Sequence, residues 1–248
     1  MGEDNIPLPP EEFIGLVGSR VAKDYESTGL HVFELVRDRC SVKPWHHVLD
    51  IGSGSGRVAV HFTRYMNAAG TYDGFDIVLP MVEWCQENIS NRFPHFRFQY
   101  APLSNTHYSG VGSDAQTYKF PYADNTFDVV FAASVFTHLM PASAEQYARE
   151  TARVLKPEGR ALLTFYIIND ESRRQRANGE KIIPFAYERG DHALQSEDNP
   201  EGVIAFEERR AISLLEAAGL RIDRFSYGFW RKAGGWTYQD AFLVSKRP

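Results

Sequence analysis

Short apolar runs alternate along the chain with stretches whose apolar positions recur every three or four residues. The first kind of spacing reads as strand and the second as helix. Leu30, Val32, Phe33, Leu35 and Val36 predict a helix ahead of the first strand, His47 to Ile51. Glycines follow that strand and lead into a helix over Arg57 to Met66. The alternation continues with a strand at Tyr72 to Asp76, a helix at Pro80 to Phe93, and strands at Phe96 to Tyr100 and Phe127 to Ala133. A helix over Ser143 to Leu155 is expected to stop at Pro157 and Gly159, before a strand from Arg160 to Ile168.

Strands and helices in alternation imply a parallel sheet with helices on both faces. The rhythm breaks at Asn169 to Ile204, which is polar and punctuated by Gly and Pro. A segment that long reads as an excursion from the sheet. A helix over Phe206 to Ala218 ends at Gly219. Leu220 to Tyr227 and Ala241 to Ser245 are strand-like with no helix between them, so they are expected to pair antiparallel. Residues 1–10 are polar and proline-rich and are expected to form a loose tail.

The 248 residues are 43% hydrophobic and 24% charged, with a formal net charge of -5. That composition suits a single α/β domain, residues 1–248, and lacks the basic stripe that sequence-independent nucleic-acid binding requires. No nucleic-acid partner is expected. No apolar run approaches the ~18 residues that span a bilayer, so no membrane role is expected. Cys40 and Cys85 lie outside any Cys-x-x-Cys spacing, and the first residues lack a secretory pattern; a cytoplasmic location is the expectation. Oligomeric state is not legible.

Candidate chemistry centres on Asp50-Ile51-Gly52-Ser53-Gly54-Ser55-Gly56. A glycine turn at a strand end lets a ligand come close to the backbone. Dinucleotide sites prefer G-x-G-x-x-G, whose third glycine would fall where Arg57 stands. Asp76 ends the second strand, where a carboxylate accepts ribose hydroxyls; a helix cap is its alternative role. Asp50 is placed to favour a cationic group, or merely to orient loop amides.

Four ordered segments then carry a resemblance. Val48 to Arg57 resembles motif I of the class I methyltransferases, and Gly74-Phe75-Asp76-Ile77 their ribose-binding acidic motif. Phe120 to Val130 is similar to the segment entering their fourth strand, and Arg153 to Arg160 to the turn that follows. The resemblance implies a three-layer α/β fold with a mostly parallel seven-stranded sheet, order 3-2-1-4-5-7-6, the last strand antiparallel. It implies S-adenosylmethionine as cofactor, with Gly52, Ser53 and Gly54 near its methionine part and Asp76 at the ribose. Ile77 would pack on the adenine, and Ala133 and Ser134 would border the sulfonium. Family members often carry an Asp after the third strand, bonded to the adenine amino group. Tyr100 to Asn105 holds no carboxylate, so the Leu103 amide, with Asn105 or Gln116, is the expected substitute. Glu83-Trp84-Cys85, Ser134 to His138 and Tyr238-Gln239-Asp240 resemble a bacterial branch of small-molecule methyltransferases, which loosely implies O-methylation of a sugar or related metabolite.

An alcohol acceptor benefits from a base, and His138 is the candidate catalytic residue, with packing beneath its loop as the bland alternative. His31 is a weaker candidate. His46, His47, His61, His95, His107 and His192 show no metal-ligand spacing, and no metal is expected. An N-terminal helical cap (about 10–45) and the insertion (about 169–205) are expected to cover a small-molecule acceptor. Arg173, Arg174 and Arg176 suit an anionic acceptor or a solvated helix face. The aromatics of Tyr227 to Trp230 and Trp236 to Asp240 suit stacking on a ring or hairpin packing. The competing functions are a non-catalytic S-adenosylmethionine-binding subunit or sensor and, opposed by Arg57, a nicotinamide-dependent oxidoreductase.

Overall fold

Residues 6–108, 112–180 and 182–247 are described by the computed structural model. The expected tail lies partly outside them, and residues 6–10 carry no regular element. The chain divides into two units, residues 1–102 and 103–248.

The first unit opens with α1 (Glu11–Leu16) and α2 (Ala22–Arg39). Val32, Phe33, Leu35 and Val36 of α2 are buried, whereas Leu30 faces outward. Then come β1 (His47–Ile51), α3 (Ala59–Phe62), β2 (Thr71–Asp76), α4 (Leu79–Cys85) and β3 (Phe96–Tyr100). α4 continues through Ser90 as a π-helical turn. β2 pairs in parallel with β1 and β3, setting Asp50 opposite Gly74 and Asp76 opposite Tyr100. The helix expected over Arg57 to Met66 is regular for only four residues. Beyond them the bonds tighten to three-residue spacing, as in Tyr65 N–H to Phe62 C=O, and the Thr63 hydroxyl donates to the Val60 carbonyl at 2.7 Å. A hydroxyl that competes for helix carbonyls weakens the helical ladder.

The second unit holds β4 (Phe127–Ala132), α5 (Pro141–Val154), β5 (Leu155–Phe165) and β6 (Ile167–Ile168). It continues through α6 (Asp170–Ala177), β7 (Tyr187–Glu188), β8 (His192–Leu194), β9 (Ile204–Glu207), α7 (Glu208–Ala217), β10 (Leu220–Ser226) and β11 (Asp240–Lys246). α5 stops ahead of Pro157, as steric conflict between proline and the residue before it requires. The chain extends at once, so β5 takes in Pro157 and Gly159 instead of beginning at Arg160. The seven-stranded sheet has the order β10-β11-β5-β4-β1-β2-β3, and β11 runs antiparallel to both its neighbours. This is the expected topology.

The excursion is more ordered than its sequence suggests. β6, β9, β8 and β7 form a second sheet in that order. Tyr166, Ile168, Phe185, Ala193, Ala205 and Trp230 build a small core against it. Strands of two to four residues are too short to display a period, which is why only the break in rhythm was legible. Asp240 anchors this region to the start of β11. Its carboxylate accepts the Ile167 amide at 2.7 Å, the Trp230 indole N–H at 2.8 Å and the Gly228 amide at 2.8 Å. Arg231 donates to Asn169 Oδ1 at 2.7 Å and stacks 4.3 Å from the centre of the Tyr227 ring.

Candidate active site

In the first unit, the turn after β1 folds back on the end of β2. Gly52, Gly54 and Gly56 all have positive φ (72°, 53° and 76°), a backbone that other residues adopt at a cost. A Cβ on Gly56 would also stand 2.6 Å from Ile89 Cδ1, so that side chain would have to move to admit one. The Gly54 amide donates to Asp76 Oδ2 at 2.7 Å, and the Val78 amide donates to Asp76 Oδ1 at 2.9 Å. Asp76 thus ties the glycine turn to the residue ahead of α4 without capping the helix itself. A carboxylate offers about four lone-pair sites, so two donors leave room for ribose hydroxyls. Burial raises the Asp76 pKa, against the backbone donors that lower it.

Asp50 is wholly enclosed one turn earlier. Burial pushes its pKa up to about 8, opposed by the Tyr72 hydroxyl 2.6 Å away and reinforced by the nearby Asp76 charge. Ser53 Oγ is buried without a hydrogen-bond partner. An orphaned hydroxyl beside a glycine backbone and a half-used carboxylate fits a polar ligand such as the methionyl and ribosyl parts of S-adenosylmethionine. Ile77, half-buried, follows directly. The N-terminal segment closes on the same turn: Tyr25 Oη donates to the Ser55 carbonyl at 2.9 Å, and Arg57 donates to the Val17 carbonyl at 3.0 Å. His31 is exposed on α2.

The second unit carries the other predicted residues. Ala133 and Ser134 follow β4, and Ser134 holds φ 64°. The Ser134 amide donates to Thr164 Oγ1 at 2.8 Å, and that hydroxyl lies 2.6 Å from Gln239 Oε1. That network holds a non-glycine residue in the left-handed region, which the surrounding structure must offset. Leu103 sits at the neck of a loop. It bridges to Ser113, and the Ser104 amide donates to the Ser113 carbonyl at 3.0 Å. At Gly112 a Cβ would lie 2.4 Å from the Leu103 carbonyl carbon, so the neck closes only around glycine.

That neck brings a further acidic residue to the expected adenine loop. Ser104 to Tyr108 form a detour away from this neck, and Gly112, Ser113 and Asp114 return beside Leu103. A carboxylate is therefore present after the third strand, displaced along the sequence. Asp114 Oδ1 caps the short turn Ala115–Thr117 by accepting the Gln116 amide at 2.8 Å. Asn105 is instead occupied inside the detour. Its Oδ1 accepts the His107 and Tyr108 amides at 3.0 and 3.1 Å, and its Nδ2 donates to the His138 carbonyl at 3.2 Å. The pair Asp114-Ala115 ahead of Phe120-Pro121 was the signal available in the sequence.

His138 follows β4 on a short helical turn, Phe136–His138. Its Nδ1 is 3.0 Å from the Glu201 carbonyl and its Nε2 is 3.4 Å from Tyr108 Oη. A carbonyl only accepts, so Nδ1 carries the proton and Nε2 keeps its lone pair. Burial lowers the His138 pKa, the Glu201 carbonyl partly offsets this, and neighbouring His107 lowers it further. The ring stays neutral near pH 7, the state a base requires.

The remaining candidates are used within the fold. Arg173 pairs with Glu188 and Glu207, Arg176 with Glu188, and Arg174 with Glu171. Trp230 packs against Tyr166 and Phe185, whereas Phe229 and Tyr238 are exposed. Among the described residues no group of three His, Cys, Asp or Glu is placed to hold a metal, and no helix is long and apolar enough to cross a membrane.

Comparison with known proteins supports the same frame. Residues 49–163 match the methyltransferase domain model. The chain is 30% identical over 145 residues to the ubiquinone/menaquinone biosynthesis C-methyltransferase UbiE of Idiomarina loihiensis, covering 58% of this chain and 52% of that protein. It is 31% identical over 162 residues to nocamycin O-methyltransferase of Saccharothrix syringae, covering 60% and 49%. The chain thus spans about half the length of these relatives. Among solved structures it resembles a Burkholderia thailandensis 1,6-didemethyltoxoflavin-N1-methyltransferase, determined with 1,6-didemethyltoxoflavin and S-adenosylhomocysteine bound. The TM-score is 0.59 at 18% identity, covering 98% of this chain and 93% of that one. The names span carbon, oxygen and nitrogen acceptors and so point to no one acceptor. Residues 49–163 thus match a methyltransferase domain, within a chain whose strand order is the one the class I resemblance implies and whose glycine turn is tied to Asp76.

Proposed function

We propose that the protein binds S-adenosylmethionine and methylates an oxygen of a small hydroxylated molecule, a sugar or related metabolite, in the cytoplasm. The observation that carries the donor half is the Gly54–Asp76 bond at 2.7 Å, which presents a glycine backbone and a half-used carboxylate together. Gly52, Ser53 and Gly54 would hold the methionyl part, whose ammonium would favour the charged form of Asp50. Asp76 would take the ribose, while Ile77, the Leu103 amide and Asp114 would hold the adenine. Ala133 and Ser134 would border the reacting centre. When bound, the donor supplies a methyl carbon activated by a positively charged sulfur.

Methyl transfer of this kind is in-line displacement, so the protein contributes alignment, exclusion of water and proton removal. The lone pair on His138 Nε2 suits removal of a hydroxyl proton. We assign the acceptor walls to the N-terminal helices and to residues 169–205, the latter because Glu201 of that segment fixes the His138 ring.

Turnover with S-adenosylmethionine across sugars, phenols and amines tests the reading. A hydroxylated acceptor is expected, and His138→Ala should lower kcat by about 10²–10⁴-fold with S-adenosylhomocysteine affinity unchanged. Turnover of amines alone, indifferent to His138→Ala, would refute oxygen transfer. Donor binding with no turnover on any acceptor would identify a binding subunit instead.

A further inference from the structure

We propose that Tyr108 is a second catalytic residue, standing between the acceptor and His138 and relaying the acceptor's proton. The inference rests on the oxygen-transfer reading and extends it to a residue outside every motif. An imidazole nitrogen has one lone pair. With the Nδ1 proton committed to the Glu201 carbonyl, that pair is on Nε2, and the Tyr108 hydroxyl is the group that faces it, at 3.4 Å. An acceptor therefore reaches the base through Tyr108. The contact is longer than a mature hydrogen bond, as is common for catalytic pairs before substrate closes the site.

The detour that delivers Tyr108 is built to hold it there. Its neck is pinched at Leu103 and Ser113 around Gly112. Asn105 accepts the Tyr108 amide and donates to the His138 carbonyl, joining both residues through one side chain. The Thr106 amide donates to Glu201 Oε2 at 2.6 Å, and Asn199 Nδ2 lies 2.9 Å from His107 Nδ1. The His107 ring stacks on His138 with centres 5.6 Å apart and planes within 7°, and the Tyr108 ring meets His138 edge-on at 5.3 Å. Residues 105–108, 136–138 and 199–202 thus converge on one imidazole.

In the step, the acceptor's O–H bond breaks and its proton passes to Tyr108 Oη as the Tyr108 proton passes to His138 Nε2. The oxygen's electron pair forms the bond to the methyl carbon, and the carbon–sulfur bond breaks with its pair left on sulfur. A methyl ether, a neutral thioether, a neutral Tyr108 and an imidazolium result; the imidazolium returns its proton to water.

Nitrogen-15 NMR of histidine-labelled full-length protein, free and with S-adenosylhomocysteine, tests the pair before any acceptor is known. The expected spectrum has His138 protonated at Nδ1 and a hydrogen-bonded, unprotonated Nε2. Tyr108→Phe keeps the ring and should move only the Nε2 signal towards its unbonded position. With an acceptor in hand, Tyr108→Phe should lower kcat at least tenfold. The double variant with His138→Ala should fall no further than His138→Ala alone, as groups acting in one relay do. A proton on Nε2, or an Nε2 signal indifferent to Tyr108→Phe, would overturn the proposal. So would full turnover in Tyr108→Phe beside a crippled His138→Ala, which would leave the base standing alone. Full turnover in both variants would instead remove the base itself.

Discussion

Asp50 and Asp76 are neighbouring carboxylates with unequal surroundings. Asp50 has the Tyr72 hydroxyl to set against complete burial, and its pKa rises to about 8. An unfolded aspartate titrates near 3.9, so between about pH 4 and 8 the folded chain retains a proton that the unfolded chain releases. Folding stability then falls as pH rises through that window, by up to about 1.4 kcal/mol per pH unit, and levels off above it. Asp50→Asn should flatten the decline, which urea unfolding at pH 5 and pH 8 would reveal; an identical slope in both proteins would contradict the assignment. Asp76 has two amide donors, and Asp76→Asn would turn an NH₂ group towards one of them. Affinity for S-adenosylhomocysteine should drop at least tenfold in calorimetry, equivalent to about 1.4 kcal/mol. Both residues stood out in the sequence because each lies at or next to a strand end, close to glycines. Tyr108 carried no signal of its own, because its place beside His138 depends on contacts between segments distant in the sequence.

β1, β3 and the antiparallel pair β10–β11 agree with the apolar pattern to within a residue or two, whereas the helix after the glycine turn is regular only ahead of Thr63, whose hydroxyl bonds the Val60 carbonyl. The second sheet, assembled from β6 to β9, depends on partners distant in sequence and had no local signature. Asp240 is central to its attachment. Asp240→Ala would leave the Ile167 and Gly228 amides and the Trp230 indole without their acceptor, at about 3 kcal/mol or more. Thermal unfolding should fall by about 6–12 °C. A change of less than about 2 °C would mean that water replaces the carboxylate without cost.

At the scale of the whole chain, binding energy becomes stability. If S-adenosylhomocysteine binds the folded chain, a concentration about 100-fold above Kd should stabilise it by about 2.7 kcal/mol, while NAD at equal concentration should leave the melting temperature unmoved. A shift with NAD and none with S-adenosylhomocysteine would refute the donor assignment. The sequence by itself determined the alternation of strands and helices and the donor motif, while the strand order came only with the family resemblance. The first two follow from residues close along the chain: apolar periods, strand ends, and a glycine turn with a carboxylate at the end of the next strand. Only the tertiary structure decided the surroundings of His138. Its tautomer is set by a carbonyl 63 residues away and its Nε2 is faced by a hydroxyl 30 residues away, contacts that no local pattern encodes.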